Sequence, residues 1–345
     1  MFYLKYRPQK IGEIDNSRVQ ELIKKILASP NLPHAFLFYG QKGTGKTSTA
    51  RIFAKSVNCL KNFFNNPKIN EIEPCNQCAN CLAIAHGTAV DVLEIDAASN
   101  RGIDEIKKII QEANFLPMTG KYRIYIIDEA HMITQEGFNA LLKTLEEPPA
   151  SVIFILATTS KDKVPKTILS RCHLVNFGSA KKGDIILMLK RIIKGEKIEI
   201  DPKTINLIAD YSDSSFRDAA KILEELIIQK KTDYEQAKTY LGLTKKNFLE
   251  VIASKDKNSV FLWLDEFATS GGSFKSLIES TLEELRNILL RASGVETETE
   301  TVVNFSVKET VLLIKLLTEA YQNLKISPIE SLPVEIAIIE FYNKI

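Results

Sequence analysis

The sequence predicts an α/β domain followed by all-helical domains, and three observations support this fold class. Between residues 35 and 178, short apolar runs alternate with helical patterns, which is typical of a parallel sheet with helices on both faces. A glycine-rich loop joins the first apolar run to a helix. After Gly178 the strand-like runs give way to amphipathic helical spacing that continues through the rest of the chain.

The predicted sheet has five strands, each an apolar run of strand length. They cover residues 35–39, 90–95, 123–127, 152–156 and 173–177. Between them, apolar residues recur at helical spacing over residues 46–57, 103–114 and 135–145. This alternation of strands with helices predicts that the strands run parallel.

The region after Gly178 is predicted to be helical throughout. Shorter helices are expected over residues 184–193, 202–211, 216–228 and 234–241, and Asp201 is the expected N-cap of the second. Longer amphipathic helices are expected over residues 251–267, 274–290, 308–324 and 329–342. The α/β pattern, the shorter helices and the longer helices thus fall in three successive regions, residues 1–178, 179–242 and 243–345.

Composition limits the classes of protein that this chain can belong to. Its 345 residues suit two or three domains, and a hydrophobic fraction of 45% is enough for real cores. The 45 basic and 43 acidic residues give a net charge of +2, which excludes a globally basic nucleic-acid coat. No run is apolar enough to span a membrane, and the first residues lack a signal sequence, so we expect a cytoplasmic protein without membrane contact.

A phosphate-binding loop is the clearest functional motif. Residues 40–47 read G-Q-K-G-T-G-K-T and fit the pattern G-x-x-x-x-G-K-[ST]. Such a loop points backbone N–H groups at phosphates, at the positive end of the following helix. Lys46 adds a cation for the β- and γ-phosphates of ATP, and the Thr47 hydroxyl can ligate Mg²⁺. The candidate nucleotide-binding residues here are Gly40, Gly43, Thr44, Gly45, Lys46, Thr47 and Ser48.

The predicted strand over residues 123–127 runs directly into two carboxylates. Asp128 is expected to hold Mg²⁺ near the loop, and Glu129 to polarise the attacking water. After the next strand, Thr159 is the candidate for a polar contact to the γ-phosphate or the water, with Thr158 as the alternative. Residues 128–131 read D-E-A-H, which also occurs in one class of helicase, so this motif alone does not identify the ATPase.

Arg171 is a candidate catalytic cation, because a guanidinium supplied across a subunit boundary can stabilise charge on a transferring phosphoryl group. From the residues alone, a surface ion pair is the favoured interpretation. The adjacent Cys172 is predicted to be a small buried residue.

Four cysteines form a predicted metal site. Cys75, Cys78 and Cys81 have the spacing C-x-x-C-x-x-C, and Cys59 supplies a fourth thiol. Four thiolates suit tetrahedral Zn²⁺, and a closed site of this kind is structural. An iron–sulfur cluster is the alternative. The predicted zinc module covers residues 59–81.

Several segments together resemble one family. They are H-A-F-L-F at residues 34–38, E-I-D-A-A-S at 94–99, F-N-A-L-L-K-T-L-E-E-P-P at 138–149 and I-L-S-R-C at 168–172. With the phosphate loop and the cysteine insertion, they resemble the gamma/tau subunits of the bacterial DNA polymerase III clamp loader, which are AAA+ ATPases. The resemblance covers essentially the whole chain and is strongest over residues 33–175.

The resemblance implies an AAA+ core, a helical lid and a helical collar that joins subunits into a ring. It implies that Arg171 acts on a neighbouring subunit's ATP and that Thr159 is the sensor 1 residue. Arg217, in the motif S-F-R-D-A, would contact the γ-phosphate of its own chain as sensor 2. The residues implied near the adenine are Tyr6, Arg7 and Pro8.

The implied function is ATP-driven loading of the sliding clamp onto primed DNA. The implied partners are the delta and delta prime subunits, further gamma/tau copies, the clamp and primer–template DNA. Arg101, Lys107 and Lys143 lie on or beside predicted helices and are candidates to follow the DNA phosphates. The long tail of tau subunits does not follow Ile345, so no residue here is expected to supply that tail's contacts with helicase and polymerase.

The chain departs from the family pattern at two places. Residues 14–17 read I-D-N-S where the family usually has V-V-G-Q, and Ser214 and Ser215 stand where a glycine usually precedes the sensor arginine. Three alternative classes are a DEAH-box helicase, a non-hydrolysing delta prime-like subunit, and a zinc-dependent DNA-binding module. A second motor domain is not predicted, the phosphate loop is intact, and the charge is balanced, so each is disfavoured.

Overall fold

The computed structural model describes residues 1–69, 71–99, 102–241, 248–269, 272–294, 303, 305–324 and 326–344. The chain divides into two compact units, residues 1–234 and residues 235–345. This division does not separate residues 1–178 from residues 179–234. The boundary between core and lid at residue 178 therefore stays a prediction. The predicted start of the collar at residue 243 lies outside the described residues, as does Arg101.

A five-stranded parallel sheet organises unit 1, and it confirms the predicted fold class. The strands are β1 Ala35–Gly40, β2 Val92–Asp96, β3 Arg123–Asp128, β4 Val152–Thr158 and β5 His173–Gly178. Their order across the sheet is β2-β3-β4-β1-β5, so the phosphate-loop strand and the carboxylate strand are separated by β4. All residues of β4 are buried, as expected for a central strand covered on both faces.

Helices cover both faces of this sheet and continue beyond it. The helices that lie entirely in unit 1 are α1 Phe2–Lys5, α2 Ser17–Leu27, α3 Lys46–Asn58, α4 Ala79–His86, α5 Ile103–Ala113, α6 Gln135–Glu146, α7 Lys166–Leu169, α8 Lys182–Glu196, α9 Pro202–Tyr211 and α10 Phe216–Ile228. Asp201 caps α9 as predicted, because its carboxylate accepts from the backbone N–H of Lys203 at 2.8 Å. Sequence patterns did not predict α1, α2, α4 or α7.

The two faces of the sheet carry separate apolar cores, since side chains alternate along each strand. Phe36 and Phe38 of β1 pack on one face with Phe53 of α3. Leu37 of the same strand packs on the other face, in a cluster that includes Phe138 of α6. Cys172 is buried in this second cluster, as predicted, and burial raises the pKa of its thiol to about 12. The phosphate loop therefore starts from a strand fixed on both sides.

Unit 2 is helical. Helix α11, Tyr234–Tyr240, lies at the boundary between the units, and α12 Phe248–Ala253, α13 Lys257–Thr269, α14 Phe274–Ala292, α15 Val307–Asn323 and α16 Leu332–Lys344 follow. Trp263 stacks on Phe267 with ring centroids 5.1 Å apart and lies 5.0 Å from the ring of Phe248. Among the described helices, none is both long enough and apolar enough to cross a membrane.

One predicted helix, over residues 251–267, is wrong. The structure has two helices there, because the chain turns after Ala253. Lys255 adopts a left-handed conformation with φ of 56°, which ends a helix. The carboxylate of Asp256 then accepts from the backbone N–H of Asn258 and from the hydroxyl of Ser259, which starts the next helix.

Candidate nucleotide-binding site

The loop between β1 and α3 has the geometry of a phosphate cradle. Gly43 and Gly45 have φ values of 78° and 92°, a left-handed conformation that glycine adopts without strain. Gly45 is the N-cap of α3, so the loop ends at the positive end of that helix. The Thr44 hydroxyl donates to the Gln41 carbonyl at 2.8 Å and fixes the turn from within.

A cavity of about 400 Å³ opens over this loop. Its polar side is formed by the loop, the start of α3 and the two carboxylates at the end of β3. The remaining wall is more apolar and comes from the N-terminal segment, α8 and α10. The residues that line the cavity include Tyr6, Arg7, Pro8, Ile14, Asp15, Asn16, Gly43, Thr44, Gly45, Lys46, Thr47, Ser48, Asp128, Glu129, Met188, Ile192 and Arg217.

Lys46 lies at the base of the cavity, with 6% of its surface exposed. Its ammonium donates to the carbonyl oxygens of Gly40 at 3.0 Å and Gln41 at 2.8 Å. Burial lowers the pKa of this lysine, and the nearby carboxylates of Glu129 and Asp128 oppose that shift. The Lys46 ammonium therefore lies at the loop, where a phosphate could replace the two carbonyl oxygens as its hydrogen-bond acceptor.

The loop and the carboxylate strand meet through one hydrogen bond. The Thr47 hydroxyl donates to Asp128 Oδ2 at 2.6 Å. The other oxygen of Asp128 accepts from the backbone N–H of Glu129 at 2.9 Å. A hydroxyl and a carboxylate placed together are oxygen ligands of the kind that Mg²⁺ takes in ATP sites.

Glu129 has a φ of 46°, which is uncommon for any residue other than glycine. Strained backbone of this kind is concentrated at functional sites. Thr159 donates from its hydroxyl to the Glu129 carboxylate at 3.2 Å. Thr158 is fully buried, and its hydroxyl contacts His131 Nδ1 at 3.0 Å. The geometry thus favours Thr159 over Thr158 for contact with the reacting groups.

Helix α10 approaches the phosphate loop closely. A side chain at Gly43 would place its Cβ 2.0 Å from the Ser215 hydroxyl, so only glycine fits there. The Phe216 N–H donates to the Gly43 carbonyl at 3.1 Å. Ser214 adopts a φ of 55°, a conformation that explains why glycine is usual at this place. Arg217 lines the cavity, with its guanidinium 4.9 Å from the Tyr3 ring.

The N-terminal segment forms another wall of the cavity. Tyr6, Arg7 and Pro8 all line it, and Arg7 Nε donates to the Ser48 hydroxyl at 2.9 Å. Asp15 lies in the same wall and pairs with Arg191 of α8 at 2.9 Å. Burial raises the pKa of Asp15 to about 6, although Arg191 opposes the shift. Sequence reasoning missed this pair, because its members lie far apart in the chain.

Arg171 does not line the cavity of its own chain. Its guanidinium pairs with Glu146 and donates to the Thr167 carbonyl at 2.7 Å. The surface ion pair considered from the sequence is therefore present. Lys107 and Lys143 also lie outside the cavity, on α5 and α6.

The four predicted cysteines come together. The Sγ atoms of Cys59, Cys75, Cys78 and Cys81 lie within 4.8 Å of one another. Tetrahedral zinc with bonds of about 2.3 Å would place its sulfur ligands about 3.8 Å apart, so the residues fit this ion. Backbone N–H groups donate to three of the sulfurs, for example from Cys78 to Cys75 Sγ at 3.3 Å. Such donors stabilise thiolates.

The sheet, the cradle and the carboxylate strand define a P-loop nucleotide-binding protein with the AAA+ fold. The structure is similar to that of a mutant of Thermotoga maritima RuvB, with a TM-score of 0.52 and 16% identity over 85% of this chain and 86% of that one. At this identity the similarity shows the fold alone. A family model described as DNA polymerase III, delta subunit, matches residues 15–181.

The particular family follows from sequence relatives. The chain is 38% identical to Bacillus subtilis DNA polymerase III subunit tau, over 87% of this chain and 54% of that one. It is 31% identical to DNA polymerase III subunit gamma of Buchnera aphidicola subsp. Acyrthosiphon pisum, over 99% and 98%. The chain thus belongs to the family of DNA polymerase III gamma/tau subunits. It spans about half the length of the Bacillus subtilis and Mycoplasma genitalium relatives, 54% and 55%.

Proposed function

We propose that this chain is an ATP-hydrolysing subunit of a replicative clamp loader, which places the sliding clamp on primed DNA for DNA polymerase III. One observation carries the enzymatic part. The 2.6 Å hydrogen bond from Thr47 to Asp128 joins an intact phosphate loop to the carboxylate strand. A non-hydrolysing delta prime-like role would not require this assembly, and family membership supports the clamp-loading part.

Each residue of the cavity has a separate role in the proposed mechanism. Lys46 and the loop N–H groups would hold the β- and γ-phosphates, while Thr47 and Asp128 would hold Mg²⁺. Glu129 would orient and polarise water, and the hydrogen bond that its carboxylate accepts from the Thr159 hydroxyl supports this role. Arg217 lines the same cavity from α10, which supports its proposed role as the cation that senses nucleotide within the chain.

Arg171 completes the site of a neighbouring subunit in this proposal. Its position outside its own cavity supports action in trans. The ion pair with Glu146 has to open for that role, and exposed pairs of this kind contribute only about 0–1 kcal/mol. To act on a neighbour, Arg171 would exchange its contacts with Glu146 and the Thr167 carbonyl for the neighbour's phosphate.

The cysteine module is proposed to hold zinc as a structural ion. The four thiolates leave no open position for catalysis, and the module lies beyond the end of α3 that is remote from the phosphate loop. Zinc there would fix a segment that has helix α4 as its only described regular structure between residues 59 and 86.

The proposed partners are delta, delta prime and further gamma/tau subunits, the clamp and primer–template DNA in the cytoplasm. Lys107 and Lys143 remain candidates for phosphate contacts. Replacing both with alanine should weaken DNA stimulation of hydrolysis and flatten its salt dependence, while basal hydrolysis persists.

The function is tested by reconstituting the chain with its partner subunits and measuring ATP hydrolysis with and without clamp and primed DNA. We expect stimulation by the two together. The Glu129→Gln variant should bind ATP normally but not turn over, because only the water-polarising carboxylate is lost. Unstimulated hydrolysis in a complete assembly would contradict the clamp-loader proposal.

A further inference from the structure

Glu73 connects the cysteine module to the N-terminal segment, next to residues that line the nucleotide cavity. This residue lies two positions before Cys75, and its carboxylate accepts from two successive backbone N–H groups of the N-terminal segment. The distances are 2.7 Å from Ile11 and 2.8 Å from Gly12. Hydrogen bonds to a charged acceptor are among the stronger ones in proteins.

Lys55 makes a second connection between the same two segments. It lies in the last turn of α3 and is only 2% exposed. Its ammonium donates at 2.8 Å to the Gln9 carbonyl, to the Gln9 side chain and to Asn76 Oδ1. Asn76 lies between Cys75 and Cys78 and has a φ of 56°, so its orientation depends on how the cysteine loop is folded.

The segment held in this way, residues 9–12, lies between two stretches that line the cavity. Tyr6, Arg7 and Pro8 precede it, and Ile14, Asp15 and Asn16 follow it. The phosphates of a bound nucleotide would occupy the loop. This wall, with the apolar Ile14, Met188 and Ile192, would then face its base and ribose. Arg191 of α8 fixes the wall from the other side, through the carbonyl oxygens of Tyr6 and Glu13.

We propose that Glu73 and Lys55 are positioning residues through which the metal-organised cysteine module holds the base-binding wall in place. Metal binding at the cysteines then preorganises recognition of the base, while the phosphate loop works independently of it. This inference rests on the proposed ATP site and assigns the module an effect on that site.

The test compares two ligands of the same site. Glu73→Ala should weaken ATP binding roughly tenfold, equivalent to about 1.4 kcal/mol, and leave binding of inorganic tripolyphosphate unchanged. Tripolyphosphate has the phosphates without the base, so it reports on the loop alone. Glu73→Gln keeps one acceptor oxygen and should show an intermediate loss. Glu21→Ala on α2 is the matched control, since its carboxylate is exposed and remote from the cavity lining.

Two further readouts do not depend on activity. Native mass spectrometry should show that Glu73→Ala retains its zinc, and hydrogen exchange should show faster exchange at residues 9–14. Removing zinc from the wild type with a zinc-selective chelator should weaken ATP binding at least as much as Glu73→Ala does, because the Lys55–Asn76 connection is lost as well. The loss caused by zinc removal should be smaller in the Glu73→Ala variant than in the wild type.

Three results would overturn the inference: unchanged ATP affinity in Glu73→Ala, equal loss of ATP and tripolyphosphate binding, or loss of zinc from that variant. The last would show that Glu73 acts within the module instead of between module and cavity. If the wild type itself binds no ATP, the proposed function fails, which is a distinguishable outcome.

Discussion

The two ends of helix α3 carry the two candidate sites of unit 1, and they are built differently. At the N-terminus, Gly45 leads the backbone N–H groups toward an anion, and the helix dipole favours the same charge. At the C-terminus, Cys59 joins three other thiols, and a zinc ion with four thiolates carries a net charge of about −2. A helix C-terminus does not favour such a charge, so Lys55 and the N–H donors to sulfur have to offset it.

If the cysteine module holds zinc as proposed, the phosphate site is preformed by the chain and the cysteine site needs an imported ion. The phosphate cradle depends on glycine backbone and on a lysine already in place. The cysteine loop has few apolar residues of its own, and its buried thiols gain a fixed arrangement from metal binding. The following predictions test this contrast, from the largest expected effect to the smallest.

In the proposed mechanism, the site at the N-terminus of α3 contains every catalytic group except one cation. We assign that cation to Arg171 of a neighbouring subunit. Arg171→Ala should lower hydrolysis by the assembled complex roughly a thousandfold, while each chain still binds ATP. Mixing this variant with Lys46→Ala chains should restore part of the turnover, because those chains lend their intact arginine to an intact loop. Arg18→Ala on α2 serves as the control. If subunit exchange is confirmed and no activity returns, the role in trans is wrong.

Lys46→Ala removes the cation from the preformed cradle. ATP affinity measured by calorimetry should fall at least about a hundredfold, since hydrogen bonds between charged groups are lost. Lys24→Ala, an exposed lysine on α2, should bind ATP as the wild type does. Normal affinity in the Lys46 variant would refute the assignment of the loop.

The metal site is tested by changing Cys78 and Cys81 to serine. Native mass spectrometry should find one zinc ion per wild-type chain and none in this variant. A loss of about 3 kcal/mol in stability would lower the unfolding midpoint of unit 1 by roughly 6–12 °C. Cys172→Ala should keep its zinc, because that cysteine lies outside the cluster. An iron–sulfur absorption band in the wild type would instead favour the alternative metal centre.

The smallest effect concerns a carboxylate just before β2 that holds the loop before β3 by hydrogen bonds. Asp91 is buried and accepts from the N–H groups of Met118, Thr119 and Gly120, at 2.6–2.8 Å. Burial raises the pKa of this carboxyl, but the three donors lower it more, so the net shift is below the ordinary value of 3.8. Asp91→Asn should destabilise unit 1 by about 1–3 kcal/mol at neutral pH.

The pH dependence of that effect has a definite sign. A carboxyl whose pKa is depressed by folding stabilises the protein above its unfolded pKa, and this contribution is lost as pH falls through the folded pKa. The stability difference between wild type and Asp91→Asn should therefore shrink below about pH 4. A difference that grows on acidification would show that Asp91 is not held as a carboxylate.

Sequence patterns predicted the sheet and the cradle well, because both depend on local signals. Apolar runs located all five strands to within two residues at their starts, and the glycine loop located the start of α3. The four cysteines were recognisable by spacing. Sequence reasoning did not predict the turn at Lys255. This residue adopts a left-handed conformation, and because it is not a glycine, the sequence carries no local signal for the turn.

Contacts between distant segments were not predictable in the same way. Glu73 and Lys55 look like ordinary charged residues in the sequence, and only the fold shows that both bond to the N-terminal segment. The choice between Thr158 and Thr159 also required the structure, because it depends on the burial of Thr158 and on the hydrogen bond from Thr159 to Glu129. The trans role of Arg171 needs an assembly and is still a prediction.

Trp263, the single tryptophan of the sequence, gives the protein a useful optical property. Its indole is stacked against Phe267 within unit 2, so intrinsic fluorescence excited at the red edge reports on the packing of that helical unit. Zinc release and nucleotide binding report on unit 1. Unfolding of the two units can therefore be recorded in one sample by separate signals, without attaching a dye to either.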